Sequence, residues 1–149
     1  MAEGRVVAVC ISEVKGIPKT PVPSGRLIMD WGLEGDAHAG NWHRQVSLLA
    51  MESIEKMLAM GADVSPGSFA ENITTQGVDL VSLPIGSRLR IGEALAEVTQ
   101  IGKECHDRCA IFEQVGDCIM PREGIFVRVL EPANVAVGDS VVVLEGRES

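Results

Sequence analysis

Aromatic side chains and positive charge are both scarce in this sequence. Two Trp, three Phe and no Tyr make up 3% of the residues. Proteins that bind single-stranded nucleic acid stack the bases on several exposed rings, and few rings are present here. Lys and Arg number 13 against 21 Asp and Glu, a formal net charge of −8. So acidic a chain is a poor binder of nucleic acid or anionic membrane surfaces unless its positive side chains cluster.

Long apolar runs are absent as well. No run is long enough to span a bilayer, and the start of the chain, Met1 to Arg5, lacks the charged region and cleavage site of a signal peptide. We therefore expect a cytoplasmic protein with no membrane or nucleic-acid partner. In that compartment its four cysteines are expected to be thiols, metal ligands or catalytic groups rather than disulfides.

The composition is nevertheless that of a folded protein. With 46% hydrophobic residues, the chain can bury one core, and we expect a single domain over residues 1–149. The patterns predict strands at 5–11, 45–49, 85–91, 95–101, 125–130 and 140–144, and helices at 51–60 and about 104–115. Many strands, two helices and frequent Gly turns predict a mainly β fold, a closed or nearly closed barrel with flanking helices.

Two finer predictions concern how these elements pack. The helix at 51–60 should face the core through four residues spaced at i, i+3, i+4 and i+7: Ile54, Met57, Leu58 and Gly61. Segments 84–89 and 136–141 each place a Gly in a turn that leads into a strand, and we interpret them as equivalent corners of the barrel.

The densest group of reactive side chains surrounds Cys105. This residue follows a predicted strand and opens a predicted helix, where unpaired N–H groups and the helix dipole favour a thiolate. Lys103 adds positive charge nearby, whereas Glu104 and Asp107 oppose the ionisation. A reactive or metal-binding thiolate is one interpretation and a buried small side chain is the other. The run of polar neighbours favours the functional one.

Two further cysteines could join Cys105. Cys109 lies four residues on and Cys118 follows the next predicted turn, so a structural zinc site is conceivable, although this is not the usual ligand spacing. Cys109 is as well explained by core packing as by function. Cys10 lies in a valine-rich strand and is expected to be a core residue.

A second group of polar residues lies in the glycine-rich segment 35–45. Asp36, His38 and His43 could ligate a metal. The same segment could instead bind an anion through His38, Arg44 and loop amides. Both chemistries remain open from the residues alone.

Two more segments carry candidate residues. Glu71 and Asn72 interrupt the apolar rhythm between Phe69 and Ile73, so they either pin a turn or point into a cleft, and their chemistry favours pinning. Arg122 lies in a turn shortly after the cysteine region and would by itself be an ordinary surface residue.

In order along the chain, these segments resemble the MOSC domain, the C-terminal module of molybdenum-cofactor sulfurases. The resemblance covers nearly the whole sequence and rests on an ordered set of motifs: GLEGDAH at 32–38, RQVSL at 44–48, PGSFAENI at 66–73, LPIGSRLRIG at 83–92, Cys105, and VGD at 137–139. The chain is therefore similar to a small stand-alone MOSC protein.

The resemblance implies a MOSC-type β-barrel, related to the pyruvate-kinase barrel, and a cysteine that carries persulfide sulfur or ligates molybdenum. Cys105 is the matching cysteine, and it would be both the catalytic residue and the metal ligand. The cofactor implied is molybdenum bound to molybdopterin, a pterin ligand. The pocket would be lined by six residues matched by motif or nearby positive charge: His38, Arg44, Glu71, Asn72, Lys103 and Arg122. The implied partner is a cysteine desulfurase or a molybdenum-cofactor biosynthesis protein.

The sequence departs from the family pattern in ways that matter for function. Ala70 stands where the family has Gly, and we expect this difference to alter the turn. The desulfurase domain of the sulfurases is missing, so pyridoxal phosphate is not expected in this chain. The N-terminal module of the reductase relatives is missing too, which argues against self-sufficient reductase activity.

Three hypotheses follow for the function. The first is a sulfur-carrier or cofactor-binding domain in maturation of the molybdenum cofactor, a possible sulfur transferase. The second is a molybdenum-dependent oxidoreductase that reduces N-hydroxylated compounds. The third is a non-catalytic scaffold, with structural zinc held by Cys105, Cys109 and Cys118.

Overall fold

Strands dominate the structure. The computed structural model of the chain describes residues 3–14, 19–37, 39–42, 44–102 and 123–144. Within these ranges there are eleven strands and one α-helix: β1 Glu3–Ile11, β2 Thr20–Val22, β3 Ser24–Ile28, β4 Gly32–Leu33, β5 Val46–Ala50, α1 Met51–Ala59, β6 Ile73–Gln76, β7 Arg88–Ile91, β8 Ala94–Ile101, β9 Ile125–Glu131, β10 Ala133–Ala136 and β11 Ser140–Val143. The predicted helix at 104–115 lies outside the described residues.

Seven strands form a closed barrel in the order β11-β7-β8-β9-β5-β6-β1, and pairing of β1 with β11 closes it. Neighbouring strands are antiparallel except β5 and β6, which are parallel. Because a parallel pair needs a crossover rather than a hairpin, α1 and the loop after it carry the chain from β5 back to β6. The prediction of a mainly β barrel with a helix on its flank is confirmed.

Alternate residues of the regular strands fill the barrel interior. In β9, Ile125, Val127 and Val129 face inward and are at most 1% exposed, while Arg128 faces solvent. In β5, Val46 and Leu48 face inward in the same way. Branched aliphatic side chains suit this pleated, two-sided environment, and they make the interior a packed core.

A second core lies between α1 and the outside of the barrel. Leu49 and Phe126 point outward from their strands and pack with Ile54 and Met57 of the helix. This helix covers an outer face of the barrel, so β9 is buried on both sides near Phe126. The predicted apolar stripe was wrong at its end, because Leu58 is 44% exposed and Gly61 lies beyond the last residue of the helix.

The two predicted corners have the same geometry. Ser87 N donates to Pro84 O (3.0 Å), and Asp139 N donates to Ala136 O (3.1 Å). The third residue of each turn is a glycine, Gly86 in one and Gly138 in the other, both with φ of 96°, a left-handed conformation that glycine adopts at no steric cost. The corner at 84–87 also shortens the strand predicted from residue 85, which begins at Arg88 instead.

The remaining strands are short. β2 ends the large sheet as an edge strand. Strands β10, β3 and β4 form a separate three-stranded sheet. No helix in the described part of the chain has both the length and the apolar character needed to cross a membrane.

Candidate functional site

A chain of hydrogen bonds connects Arg44 to the end of β8. Arg44 Nε donates to Gln100 Oε1 (3.1 Å), and Gln100 Nε2 donates to the carbonyl oxygen of Gly102 (2.9 Å). Arg44 lies two residues before the start of β5, and Gln100 lies in β8, which is separated from β5 by β9 alone. The barrel therefore holds the motif arginine at the place where β8 ends.

Phe126 supports the same guanidinium group. The Arg44 Cζ atom lies 5.3 Å from the centroid of the Phe126 ring, within the range of a cation–π contact. Phe126 is only 3% exposed because α1 covers it, so the ring is a fixed platform. With a fixed ring beneath it and an amide acceptor at Nε, the guanidinium of Arg44 is oriented before any ligand arrives.

Two described residues that flank the predicted cysteine region in sequence, Gly102 and Gly124, are hydrogen-bonded to each other. Gly102 N donates to Gly124 O (2.6 Å), which joins the chain on either side of residues 103–122. Cys105, Lys103 and Arg122 lie outside the described residues, as do Cys109 and Cys118. Gly102 is thus the residue that relates the Arg44 network to the segment that contains the candidate cysteine.

Glu71 is fully buried and binds its own loop. Its carboxylate accepts hydrogen bonds from Gly67 N (2.8 Å), Phe69 N (3.1 Å) and Thr74 Oγ1 (3.0 Å). Burial raises the pKa of this carboxyl above its usual value, and the hydrogen bonds act in the opposite direction. Glu71 thereby pins the turn before β6, the role that residue chemistry favoured, and a direct contact with a ligand remains a prediction.

The turn before Glu71 has an unusual residue. Ala70 adopts a φ of 63°, in the left-handed region. A residue with a Cβ atom is disfavoured there and glycine is not. The alanine at this position keeps the left-handed conformation, at some cost in backbone strain.

Asn72 is also fully buried and joins three parts of the barrel. Its Oδ1 accepts from Ser47 N (3.0 Å) in β5, and its Nδ2 donates to Cys10 O (3.1 Å) in β1. Its own N–H binds Ser47 as well. Asn72 thus fixes β1 and β5 next to the start of β6, and a role toward a ligand remains a prediction. Cys10 itself is fully buried, which confirms it as a core residue.

Asp36 makes a buried ion pair. Its Oδ1 lies 2.8 Å from Lys19 Nζ and accepts a hydrogen bond from Ser12 N (3.0 Å). Its metal-ligand partners in the prediction, His38 and His43, lie outside the described residues. Among the residues that the structure describes, no three His, Cys, Asp or Glu side chains are placed to hold a metal ion.

Several residues of this region were missed by the sequence analysis. Gln45 is fully buried, donates to Asp30 Oδ1 (3.0 Å) and accepts from Val129 N (2.9 Å), so it anchors the loop before β5 to β9. Gln100 and Lys19 were missed as well. Gln100 and Lys19 contact motif residues in the folded structure, but the spacing of residues along the sequence does not reveal such contacts. Gln45 could have been noticed, because it follows Arg44 directly in the motif at 44–48.

A groove of about 400 Å³ opens near the Arg44 network. It is lined by Asp30, Asn41, Trp42, Thr99 and Arg128. Trp42 is two residues before Arg44, and Thr99 precedes Gln100. Two of the residues that line the groove are therefore close in sequence to Arg44 and Gln100.

A second cavity of similar volume lies elsewhere, between the start of α1 and residues 77–81. It contains Glu52, Asp79 and Glu123, with Lys56 bound to Glu123 at 2.8 Å. An acidic lining repels an anionic ligand, and of the predicted site residues that the structure describes, Arg44, Glu71 and Asn72, none lines this cavity. Arg44 therefore stays the predicted centre of the site.

Comparison with known proteins identifies the family. The family model described as the MOSC domain matches residues 35–142. Among solved structures, the YuaD protein from Bacillus subtilis superposes with a TM-score of 0.71 at 22% identity, covering 93% of this chain and 94% of that one. YiiM from Geobacillus stearothermophilus gives a TM-score of 0.72 at 22% identity, over 95% of this chain and 75% of its own.

YiiM from Escherichia coli is similar too, with a TM-score of 0.64 at 21% identity, over 95% of this chain and 70% of its own. At these identities the solved structures establish the barrel fold and nothing finer. No curated protein sequence matches the chain at a significant level.

Proposed function

Because the chain belongs to the MOSC domain family, which is associated with the molybdenum cofactor, we propose that it binds this cofactor or a precursor of it during maturation. In this proposal an anion site centred on Arg44 holds the ligand. Cys105 carries sulfur to the ligand or ligates its molybdenum. The finer roles derive from the motifs quoted above.

The observation that carries the proposal is the Arg44–Gln100–Gly102 network. Cys105 follows Gly102 by three residues, and three residues of extended chain span at most about 11 Å. A short length of chain therefore joins Cys105 to Gly102, the residue at which the Arg44 network ends. A positive group close to a sulfur atom favours the thiolate, which is the form that attacks persulfides and binds metals.

The donor chemistry of the site fits the proposed ligand. A pterin phosphate and an oxidised molybdenum centre are both anionic, and a guanidinium fork binds such oxygens through paired N–H groups. The Nε atom of Arg44 is occupied by Gln100, and this bond orients the rest of the guanidinium. With the chain at −8 overall, binding of an anion requires a local site of this kind.

When bound, the cofactor would supply the molybdenum centre at which the sulfur or oxygen chemistry occurs. The chain's own residues would bind and orient it. Arg44 would hold the anionic part, assisted by His38, Lys103 and Arg122. Cys105 would provide the sulfur ligand. Glu71 and Asn72 would keep the surrounding loop in shape, as their hydrogen bonds do in the structure.

As a sulfur carrier, Cys105 would act by thiol–persulfide exchange. Its thiolate attacks the outer sulfur of a cysteine persulfide on a desulfurase. A new S–S bond forms to Cys105, the old S–S bond breaks, and the desulfurase cysteine leaves as a thiolate. No net oxidation occurs, because the sulfane sulfur keeps its oxidation state through the transfer.

Persulfide transfer can be tested directly by mass spectrometry. The protein is incubated with a cysteine desulfurase and cysteine, and the cysteine-containing peptides are analysed. We expect one added sulfur on Cys105, retained in Cys10→Ala and lost in Cys105→Ser. Absence of added sulfur on Cys105 would reject the carrier role.

Elemental analysis separates the remaining alternatives. Molybdenum retained after expression in a cofactor-competent host supports cofactor binding, and its loss in Arg44→Ala assigns the site. About one zinc per chain, together with melting in chelator, would instead favour the structural scaffold.

A further inference from the structure

Lys19 connects the two loops that carry the motif acids Asp36 and Glu71. Its side chain reaches one of them, since Nζ lies 2.8 Å from Asp36 Oδ1 and both side chains are completely buried. Its backbone holds the other, because Lys19 N donates to Gly67 O at 2.8 Å. Lys19, which comes just before the edge strand β2, thus contacts both loops.

The ion pair is poorly explained by stability alone. Burying two charges costs their hydration free energy, and their mutual attraction offsets this cost only when the geometry is good. A protein with an apolar pair of similar size at the same place is often equally stable. The geometry here is specific. Asp36 Oδ1 also accepts from Ser12 N (3.0 Å), and Ala37 N donates to Ser12 O (2.8 Å). These bonds fix the direction in which the Asp36 loop leaves the barrel.

The contact with the second loop leaves no room for adjustment. A Cβ atom on Gly67 would lie 2.3 Å from Lys19 O, and Gly67 has a φ of +96°, so the backbones meet at a distance that requires glycine. Gly67 N in turn donates to the Glu71 carboxylate. A displacement of Lys19 must therefore move the loop that Glu71 organises.

We propose that Lys19 is a positioning residue: it sets the placement of residues 34–37 relative to the loop at 65–71, and with it the placement of Glu71, one of the residues predicted to line the ligand pocket. The identity of the ligand rests on the proposed function. The coupling between the loops does not, because it follows from contacts within the chain.

Hydrogen exchange measured by mass spectrometry tests the coupling without any ligand. In Lys19→Met we expect amides in both loops to exchange at least about tenfold faster than in the wild type, because a buried carboxylate that has lost its cation disrupts its surroundings. Gly67→Ala, which changes no charge and lies in the other loop, should have the same two-loop effect. Arg90→Met, which removes the cation of an exposed ion pair with Glu131, is the matched control and should leave both loops unchanged.

If each substitution accelerates exchange only in its own loop, the loops are independent and the proposal is wrong. Should Lys19→Met fail to fold, Gly67→Ala and the double variant Lys19→Met/Asp36→Leu decide in its place. The double variant removes both charges, so it should regain global stability while exchange in the two loops stays fast. Slow exchange in both loops of the double variant would overturn the proposal.

The molybdenum content of the same proteins distinguishes positioning from general stability. If the double variant melts like the wild type yet retains several-fold less molybdenum, Lys19 positions the site. If it retains wild-type molybdenum, the ion pair is structural only and the proposal fails. If the wild type itself retains none, the proposed function fails, and the exchange measurements still decide whether Lys19 couples the loops.

Discussion

The side chains of Arg44 and Gln100 are 56 residues apart in sequence and joined by a 3.1 Å hydrogen bond from Nε to Oε1. The bond brings a motif arginine to the end of β8, just before the segment that contains Cys105. Phe126 lies beneath the guanidinium and α1 covers Phe126. The second core therefore has a consequence for function, because it fixes the platform on which the arginine rests.

Removal of the Gln100 acceptor should weaken ligand binding without unfolding the protein. In Gln100→Met, the charged guanidinium of Arg44 loses the hydrogen bond that orients it. We expect about tenfold weaker retention of molybdenum in protein from a cofactor-competent host. Gln76→Met is the control, since Gln76 accepts from Arg5 on the exposed surface, and it should behave as the wild type. Equal retention by both variants would show that Gln100 has no part in the site.

Asn72 should contribute strongly to stability. In Asn72→Ala, Ser47 N and Cys10 O lose their buried partner, and each unsatisfied group costs about 1–3 kcal/mol. We expect the free energy of unfolding in urea to fall by about 3 kcal/mol. Asn134→Ala removes an exposed contact to Arg26 and should change it by less than about 0.5 kcal/mol. A similar small effect for both variants would contradict the buried bridge between β1 and β5.

Ala70→Gly should stabilise the protein. The left-handed φ of 63° costs an alanine about 1 kcal/mol that glycine does not lose, while the greater freedom of glycine in the unfolded chain offsets part of this gain. The net gain expected is about 0.5 kcal/mol, measurable as a higher melting temperature. A lower melting temperature would mean that the methyl group of Ala70 makes contacts worth more than the strain.

The buried thiol of Cys10 gives the stability a specific pH dependence. Burial, assisted by the nearby charge of Glu71, raises the pKa of this thiol to about 12 from an ordinary value of 9.0. Because the folded state holds the proton more tightly, this contribution is complete below pH 9 and is lost as pH rises from 9 toward 12.

The difference in unfolding free energy between the wild type and Cys10→Ala isolates that effect. It should be constant between pH 6 and pH 8, and above pH 9 it should fall by up to about 1.4 kcal/mol per pH unit. A difference that stays constant to pH 11 would mean that the Cys10 thiol ionises equally in both states.

The barrel was predictable because its strands alternate strongly. Ile125, Val127 and Val129 give a clear two-residue period, and the corners at Gly86 and Gly138 repeat the same turn signal. Strand β6 was missed because Thr74 and Thr75 are buried polar residues, which breaks the apolar pattern. The exposure of Leu58 was missed because helical spacing predicts which face of a helix is apolar. It does not predict how far the barrel surface that covers this face extends.

The candidate site was predictable only where a motif names its residues. Arg44, Glu71 and Asn72 were predicted in this way, and the structure shows that Glu71 and Asn72 pin their surroundings by hydrogen bonds; their contact with a ligand stays a prediction. Lys19 and Gln100 were not found, because their importance arises from contacts over 17 and 56 residues of sequence. Such pairings are set by the closure of the barrel and leave no periodic signal.

The central claim is that an oriented arginine and Cys105 together make a site for the molybdenum cofactor or its sulfur. Elemental analysis and intact mass of one freshly purified sample, from a host that makes the cofactor, test it most directly. We predict bound molybdenum or one added sulfur atom per chain in the wild type, and neither in Cys105→Ser or Arg44→Ala. Wild-type protein without molybdenum or added sulfur, or equal loading of all three proteins, would contradict the account.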